Sequence, residues 1–305
     1  MEDYKTATHS MTNEILDIMS RSFNDPKWFV KFFLDNKLSL ENCYVCTVDN
    51  KVVSLLHVIP LKIKLHKNDF NGAYIYGVCT LPEYRNNGYM TKLMKYTHKV
   101  CLENGYECAF LSPASEKLEN FYEKLEYSNF FRIKRIELTK DELLKLFKEC
   151  CVSAQVNQVN QVNKSSIDYN LLNKFRIGIY GNKDFVSYSS EDLNFADKLY
   201  KFNFGGLVSI GEGYGFCMPL NSNKLKIMDF TSAEGKEIQL IKKIYETFPS
   251  YDNFIIETST VNKFFENYGA NYFNGMICPL TERCELAIES IRNNNGNPYL
   301  GISFE

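Results

Sequence analysis

Along this chain, runs of apolar β-forming residues alternate with stretches whose apolar residues recur every three or four positions, the pattern of a mixed α/β protein. Thr12 to Phe23 places Ile15, Ile18, Met19 and Phe23 at helical spacing, and Asn24-Asp25-Pro26 breaks it. A second short helix is expected from Pro26 to about Asp35, carrying Trp28, Phe29, Phe32 and Phe33. Cys43 to Val48 and Val52 to Pro60 read as strands joined by Asp49-Asn50-Lys51, a hairpin signal. Leu61, Ile63 and Leu65 then alternate with Lys62, Lys64 and His66, which gives that strand one wet face. Ala73 to Thr80 is almost wholly apolar, as expected of a central strand covered on both faces, and Leu81-Pro82 ends it. Tyr89 to Glu103 puts Leu93, Met94, Thr97, Val100 and Cys101 on one helical face, and Gly105 suits its C-cap. Cys108 to Leu111 reads as a short buried strand, Ser112 to Ser115 as a turn and helix cap, and Glu116 to Leu125 as a helix. Phe130 to Leu138 is the strand expected to close the first sheet.

A helical segment, Lys140 to Cys150, leads away from this half. Gln-Val-Asn repeated at Gln155, Gln158 and Gln161 suits neither the helical nor the strand period and reads as a linker. The expected organisation is a domain at 1–139, a connecting helix and linker at 140–164, and a second domain at 165–305. In the second domain Phe175 to Gly181, Gly206 to Met218 and Lys224 to Phe230 read as strands. Gly235 to Phe248 reads as a helix with Ile238, Ile241, Lys242 and Tyr245 on one face, Asn253 to Glu257 as a buried strand, and Val261 to Tyr268 and Thr281 to Arg292 as helices. Phe264-Phe265-Glu266 echoes Phe121-Tyr122-Glu123 at the same place after its strand, so the second half repeats the plan of the first.

Composition narrows the field. With 305 residues, 45% hydrophobic and 24% charged, the chain suits about two globular domains. A net charge of -2 argues against a nucleic-acid backbone as partner, which would need a basic surface. No apolar run approaches a membrane span and the N-terminus has no signal region, so a cytoplasmic protein is expected. Ten cysteines are too few for a disulfide scaffold and should be reduced. Cys43 and Cys46 lie three apart on a strand and point to opposite faces, and the four histidines share no ligand spacing, so no metal is expected. His57, in a strand, is expected to be a hydrogen-bonded core or cleft residue.

The chemistry concentrates between Tyr74 and Gly105. A strand, the turn Glu83 to Gly88 and an amphipathic helix follow in order. Such a turn leaves backbone N–H groups unpaired at the positive end of the helix dipole, where a pyrophosphate fits. The spacing Arg85-x-x-Gly88-x-Met90, with this strand before it and this helix after it, resembles the phosphate loop of the GCN5-related N-acetyltransferases (GNAT family). Met90 departs from the small residue usual at its place. The branch resembling the mycobacterial enhanced-intracellular-survival acetyltransferases accepts larger residues there.

That resemblance implies tandem GNAT-like α/β folds, each with a mixed, mostly antiparallel sheet and flanking helices, the second copy degenerate because Glu234, in the corresponding loop Thr231 to Lys236, would oppose a phosphate. It implies acetyl-CoA as co-substrate, no metal, and a small-molecule or side-chain amine as acceptor; a homo-oligomer is compatible with it. Backbone groups of Val78, Cys79 and Thr80 would hold the pantetheine arm. Arg85, Asn86, Asn87, Gly88, Tyr89, Met90 and Thr91 would line the phosphates, with Ser115 also on the cofactor. Tyr122 would be the general acid, Asp25 and Trp28 would meet the acceptor, and the C-terminal residue Glu305 would bring the general base. Two other readings stay open: an acyl-CoA sensor without chemistry, and an aminoacyl-tRNA-dependent transferase of the same tandem type, which the acidic charge disfavours.

Overall fold

The longest apolar runs become one long hairpin, Lys51–Leu65 against Asn68–Thr80, in the computed structural model, which describes residues 1–151 and 167–304. In chain order the elements are β1 (Glu2–Thr6), α1 (Thr12–Phe23), α2 (Lys27–Asn36), β2 (Cys43–Val48), β3 (Lys51–Leu65), β4 (Asn68–Thr80), α3 (Tyr89–Glu103), β5 (Cys108–Leu111), α4 (Glu116–Glu123), β6 (Ser128–Thr139) and α5 (Lys140–Cys151). There follow α6 (Tyr169–Tyr180), β7 (Phe185–Ser187), α7 (Ser190–Phe202), β8 (Gly206–Ile210), β9 (Gly213–Pro219), β10 (Lys224–Ser232), α8 (Glu237–Thr247), β11 (Asn253–Thr258), β12 (Ala270–Pro279) and α9 (Glu282–Asn293).

The chain divides into two units. The first comprises Met1–Phe130 and Gly275–Gly296, the second Phe131–Asn274 and the tail from Asn297. In the first, β1-β2-β3-β4-β5 lie side by side, all antiparallel except β4 with β5, and the end of β12 adds to β5 from Met276↔Leu111 to Pro279↔Cys108. In the second the order is β6-β11-β10-β9-β8, again with one parallel pair, β10 with β11. Each unit therefore runs helix, helix, antiparallel strands, parallel pair with a crossing helix. The repeat read from the sequence is a structural repeat. The units do not follow the contiguous division read from the sequence, because most of β6 pairs with β11 in the second unit and Gly275–Gly296 returns to the first.

Both units carry the same irregularity. Between Leu55↔Cys79 and His57↔Tyr76 there are two steps on β3 and three on β4, a bulge that leaves Gly77 at φ +63°. Between Tyr214↔Thr231 and Phe216↔Met228 there are two steps on β9 and three on β10, with Asp229 at φ +46°. Gly77 and Asp229 thus hold equivalent places.

Three expectations fail locally. Phe175 to Gly181 is not a strand but the end of α6, whose start is capped by Asp168 accepting from the N–H groups of Asn170 and Leu171; its apolar residues satisfied both periods. Val261 to Tyr268 forms no α-helix, only a 3-10 turn at Lys263–Phe265. Gly206 to Met218 is two strands, divided after Ile210. The Gln-Val-Asn linker lies outside the described residues. Among the described residues no helix is long and apolar enough to cross a membrane.

The second unit has a charged interior. Arg176 and Asp229 are both fully buried and paired, with Nε donating to Oδ2 at 3.1 Å, while the Tyr214 hydroxyl donates to the same oxygen at 2.6 Å. This pair seats the C-terminal tail. Val186 N–H donates to the Tyr299 carbonyl, Tyr188 hydroxyl to the carbonyls of Leu300 and Ile302, and Tyr200 hydroxyl to that of Ser303. Gly301, at φ +83°, passes so close that a Cβ there would stand 2.6 Å from Arg176 Nη2. Phe304 is fully buried against Tyr188 and Phe195. The tail is docked rather than frayed. Asp229→Asn keeps the shape and tolerates the positive φ but leaves Arg176 without its counter-charge; equilibrium urea unfolding should show a loss of about 3–5 kcal/mol, and a loss under about 1 kcal/mol would contradict this role.

Candidate active site

β4 and β5 start together and part. Their parallel register runs Gly72↔Cys108, Ala73↔Ala109, Tyr74↔Phe110; β5 ends at Leu111, while β4 continues to Thr80, and Gly77 to Thr80 have no registered partner on that edge among the described residues. Unpaired strand N–H and C=O groups demand partners. The bulge adds to them, because neither Gly77 nor Val78 has a registered partner on β3. An extra residue at this point turns the local backbone away from the ladder and towards the gap. The sequence signal for it was Gly77, a glycine inside a strand pattern, which the reading of one uninterrupted strand passed over.

The helices before the sheet cover the bulge from one side. A Cβ on Gly77 would meet Met19 Cε of α1 at 3.3 Å and His57 Nδ1 of β3 at 3.5 Å. Phe33 of α2 stacks on Tyr76 with ring centres 5.4 Å apart. His57 departs from expectation: it is fully buried, yet neither ring nitrogen has a hydrogen-bond partner among the described residues. Burial pushes its pKa down to about 3, so the ring is neutral at physiological pH. Trp28 of α2 is 59% exposed, its edge on Phe29. Asp25, between α1 and α2, is half-buried without an ion-pair partner among the described residues, and desolvation raises its pKa.

Beyond Thr80 the chain makes a 3-10 turn at Pro82–Tyr84 and enters α3 through Gly88 at φ +78°. Arg85 Nε donates to the Thr80 carbonyl at 3.1 Å, tying the loop to the strand end. Asn87 Nδ2 donates to the carbonyls of Tyr84 and Arg85, both at 3.2 Å. Asn86 takes φ +66°. The first helical bond runs from Lys92 N–H to Gly88 O, so the N–H groups of Tyr89, Met90 and Thr91 have no carbonyl within the helix. No side chain caps this end and no acidic residue lies in its first turn. Met90 packs against the apolar cluster of Leu93, Met94, Leu111 and Tyr122, so a large residue here is accommodated in the core.

Val78 packs against that cluster too. Tyr122, on α4, is 6% exposed with its ring against Phe121 and Tyr127, and burial raises its phenol pKa, holding the proton on at neutral pH. Ser115 sits at the N-cap of α4 but its exposed side chain makes no capping bond. Glu305 lies outside the described residues.

The second unit lacks this arrangement. β10 and β11 remain paired, across a register shift after Ile227↔Ile256, as far as Phe230↔Thr258, where the Thr258 hydroxyl donates to Phe230 O at 2.7 Å. Its bulge residue, Asp229, carries a side chain held by Arg176, and α8 has Glu237 in its first turn. An open edge, a bare glycine bulge and an uncharged helix head occur together in the first unit.

A scan of known families matches residues 3–130 to the acetyltransferase (GNAT) domain. Among solved structures, a GCN5-related N-acetyltransferase from Anabaena variabilis shares 16% identity at a TM-score of 0.69, covering 92% of this chain and 73% of that one. One from Kribbella flavida shares 14% at 0.68, covering 91% and 70%. Eis1 from Mycobacterium abscessus shares 8% at 0.66, covering 94% and 76%. Likeness at these identities establishes a common fold. No curated protein sequence matches the chain. The splayed strands, the glycine-entered helix and the family match fall on the same residues, and residues 3–130 are similar to a GNAT acetyltransferase domain.

Proposed function

We propose that the protein is an N-acetyltransferase of the Eis-like branch that moves an acetyl group from acetyl-CoA directly to an amine. The observation that carries this is the free edge of β4 leading, through the Gly77 bulge, into an uncapped helix N-terminus. The backbone groups of Val78, Cys79 and Thr80 pair with the pantetheine arm as a further strand would. The N–H groups of Tyr89, Met90 and Thr91, with Asn86, Asn87 and Gly88 shaping the turn, hold the phosphates. Arg85 spends its Nε on Thr80 O, so its remaining guanidinium nitrogens supply the charge. Ser115 presents an unengaged hydroxyl to the cofactor. Asp25 and Trp28 offer an unpaired carboxylate and an aromatic face to a cationic amine.

Direct transfer needs a base for the amine and an acid for the leaving thiolate. Tyr122, kept protonated by burial, is the acid. The base is Glu305, through its side chain or the terminal carboxylate.

Gly88 tests the cofactor site. A Cβ there meets nothing within 4 Å, and aspartate is among the side chains that best tolerate the left-handed φ of +78°, so Gly88→Asp should fold at a modest cost in stability while placing a carboxylate where the pyrophosphate binds. Acetyl-CoA affinity by calorimetry should fall about tenfold or more; an unchanged value in the folded variant rejects the site. Tyr122→Phe keeps the packing and removes the proton. Thiol release with a panel of amines should drop roughly 10²-fold or more at unchanged cofactor affinity, and wild-type turnover leaves Tyr122 a packing residue only. If wild-type protein binds acetyl-CoA but releases no thiol with any amine, it is a sensor.

For Glu305, removing Ser303 to Glu305 would also remove the buried Phe304 and confound folding with chemistry. The cleaner variant is Glu305→Gln extended by two glycines, which displaces both carboxylates. Its turnover should fall about 10²-fold, and full activity across a range of pH would dismiss the assignment.

A further inference from the structure

We propose that the second unit holds a binding site of its own for a small zwitterion, a molecule of amino-acid size carrying an ammonium and a carboxylate. A pocket of about 310 Å³ opens at the ends of β10 and β11, beside the head of α8. This is the place that corresponds to the cofactor loop of the first unit. At the small end of the roughly 300–1,000 Å³ range of ligand pockets, it suits a compact molecule. Its polar lining includes Lys183, Ser232, Glu237, Ser259, Asn262 and Lys263.

Three of these groups lack partners. Glu237 is 5% exposed, and its side chain makes no hydrogen bond or ion pair among the described residues. Its carboxylate oxygens are not sealed in the protein, so they face the pocket that Glu237 lines, and a cation that donates hydrogen bonds is their natural partner there. Lys183 has no carboxylate within ion-pair distance among the described residues; its ammonium lies 5.6 Å from the Tyr180 ring centre. Desolvation, and then the neighbouring Lys263, disfavour its charge, so an anion beside it is what the site lacks. The Ser232 hydroxyl is buried with no hydrogen bond among the described residues. Lys263, exposed at the rim, lies 3.9 Å from the equally exposed Glu234.

Glu237 accepts only and Lys183 donates only, and they line one pocket without pairing with each other. A simple anion would answer Lys183 but be repelled by Glu237 at the helix head; a simple amine would do the reverse. A molecule with both charges answers both, its ammonium on Glu237 and its carboxylate on Lys183, with Ser232 free to bond the carboxylate. Phosphate binding, the use of this position in the first unit, is excluded by the same carboxylate.

The test is calorimetric titration of the full chain with each of the twenty L-amino acids, with acetate and methylamine as single-charge controls. At least one amino acid should bind at up to about 10 mM, more tightly than either control. Glu237→Gln and Lys183→Gln should each weaken it by about tenfold or more, while Gly88→Asp, in the first unit, should leave it unchanged. Thermal melting checks that each variant is folded; should Glu237→Gln unfold, Lys183→Gln, at a half-exposed position, decides alone. Binding by no amino acid, equal binding of acetate, or undiminished binding in the folded second-unit variants would overturn the proposal.

Discussion

One extra residue in β4 governs the active half of the molecule. Without the bulge, β4 would stay in ladder with β3 through Gly77 and Val78, and its polar groups would be used up. With it, those groups leave the β3 ladder beside the edge where β5 has already ended, and Gly77 and Val78 have no registered strand partner among the described residues. Glycine suits the position because it takes the positive φ without strain and leaves room for Met19 and His57 beneath. The loop that follows is then held to the same strand by Arg85 on Thr80 O, so the uncapped helix head and the open edge are placed by one element.

The second unit shows what the same scaffold does when the bulge is filled. Asp229 in the position of Gly77 draws in Arg176, and that buried pair, with its surrounding tyrosines, becomes the seat of the C-terminal tail. β10 and β11 close up where β4 and β5 part. Where the first unit has an open strand edge, the second has a structural anchor. A buried ion pair is an expensive core, and its retention here fits a role in fixing the path of Tyr299 to Phe304 rather than in adding stability over an apolar alternative.

Much of this was legible in the sequence. Long amphipathic segments such as Tyr89 to Glu103 and buried strands such as Cys108 to Leu111 carried unambiguous periods, and Gly88 marked a helix start without early acids. The failures share a cause. Phe175 to Gly181 has apolar residues at spacings that serve strand and helix alike, and the Asp168 cap that settles the matter lies outside the segment. Val261 to Tyr268 has helical spacing, but Asn262 caps only a single turn before Gly269 turns the chain. The bulge, the orphaned ring of His57 and the unpaired Glu237 depend on partners distant in sequence, and no local pattern encodes them.

The central claim is that the parted edge of β4 and the head of α3 together form the acetyl-CoA site. Amide hydrogen exchange followed residue by residue, with and without saturating acetyl-CoA, addresses it most directly. Protection should rise at Val78 to Thr80 and at Tyr89, Met90 and Thr91, and should not change in β10 or at the start of α8. No added protection in β4 and α3, or protection confined to the second unit, would contradict the account.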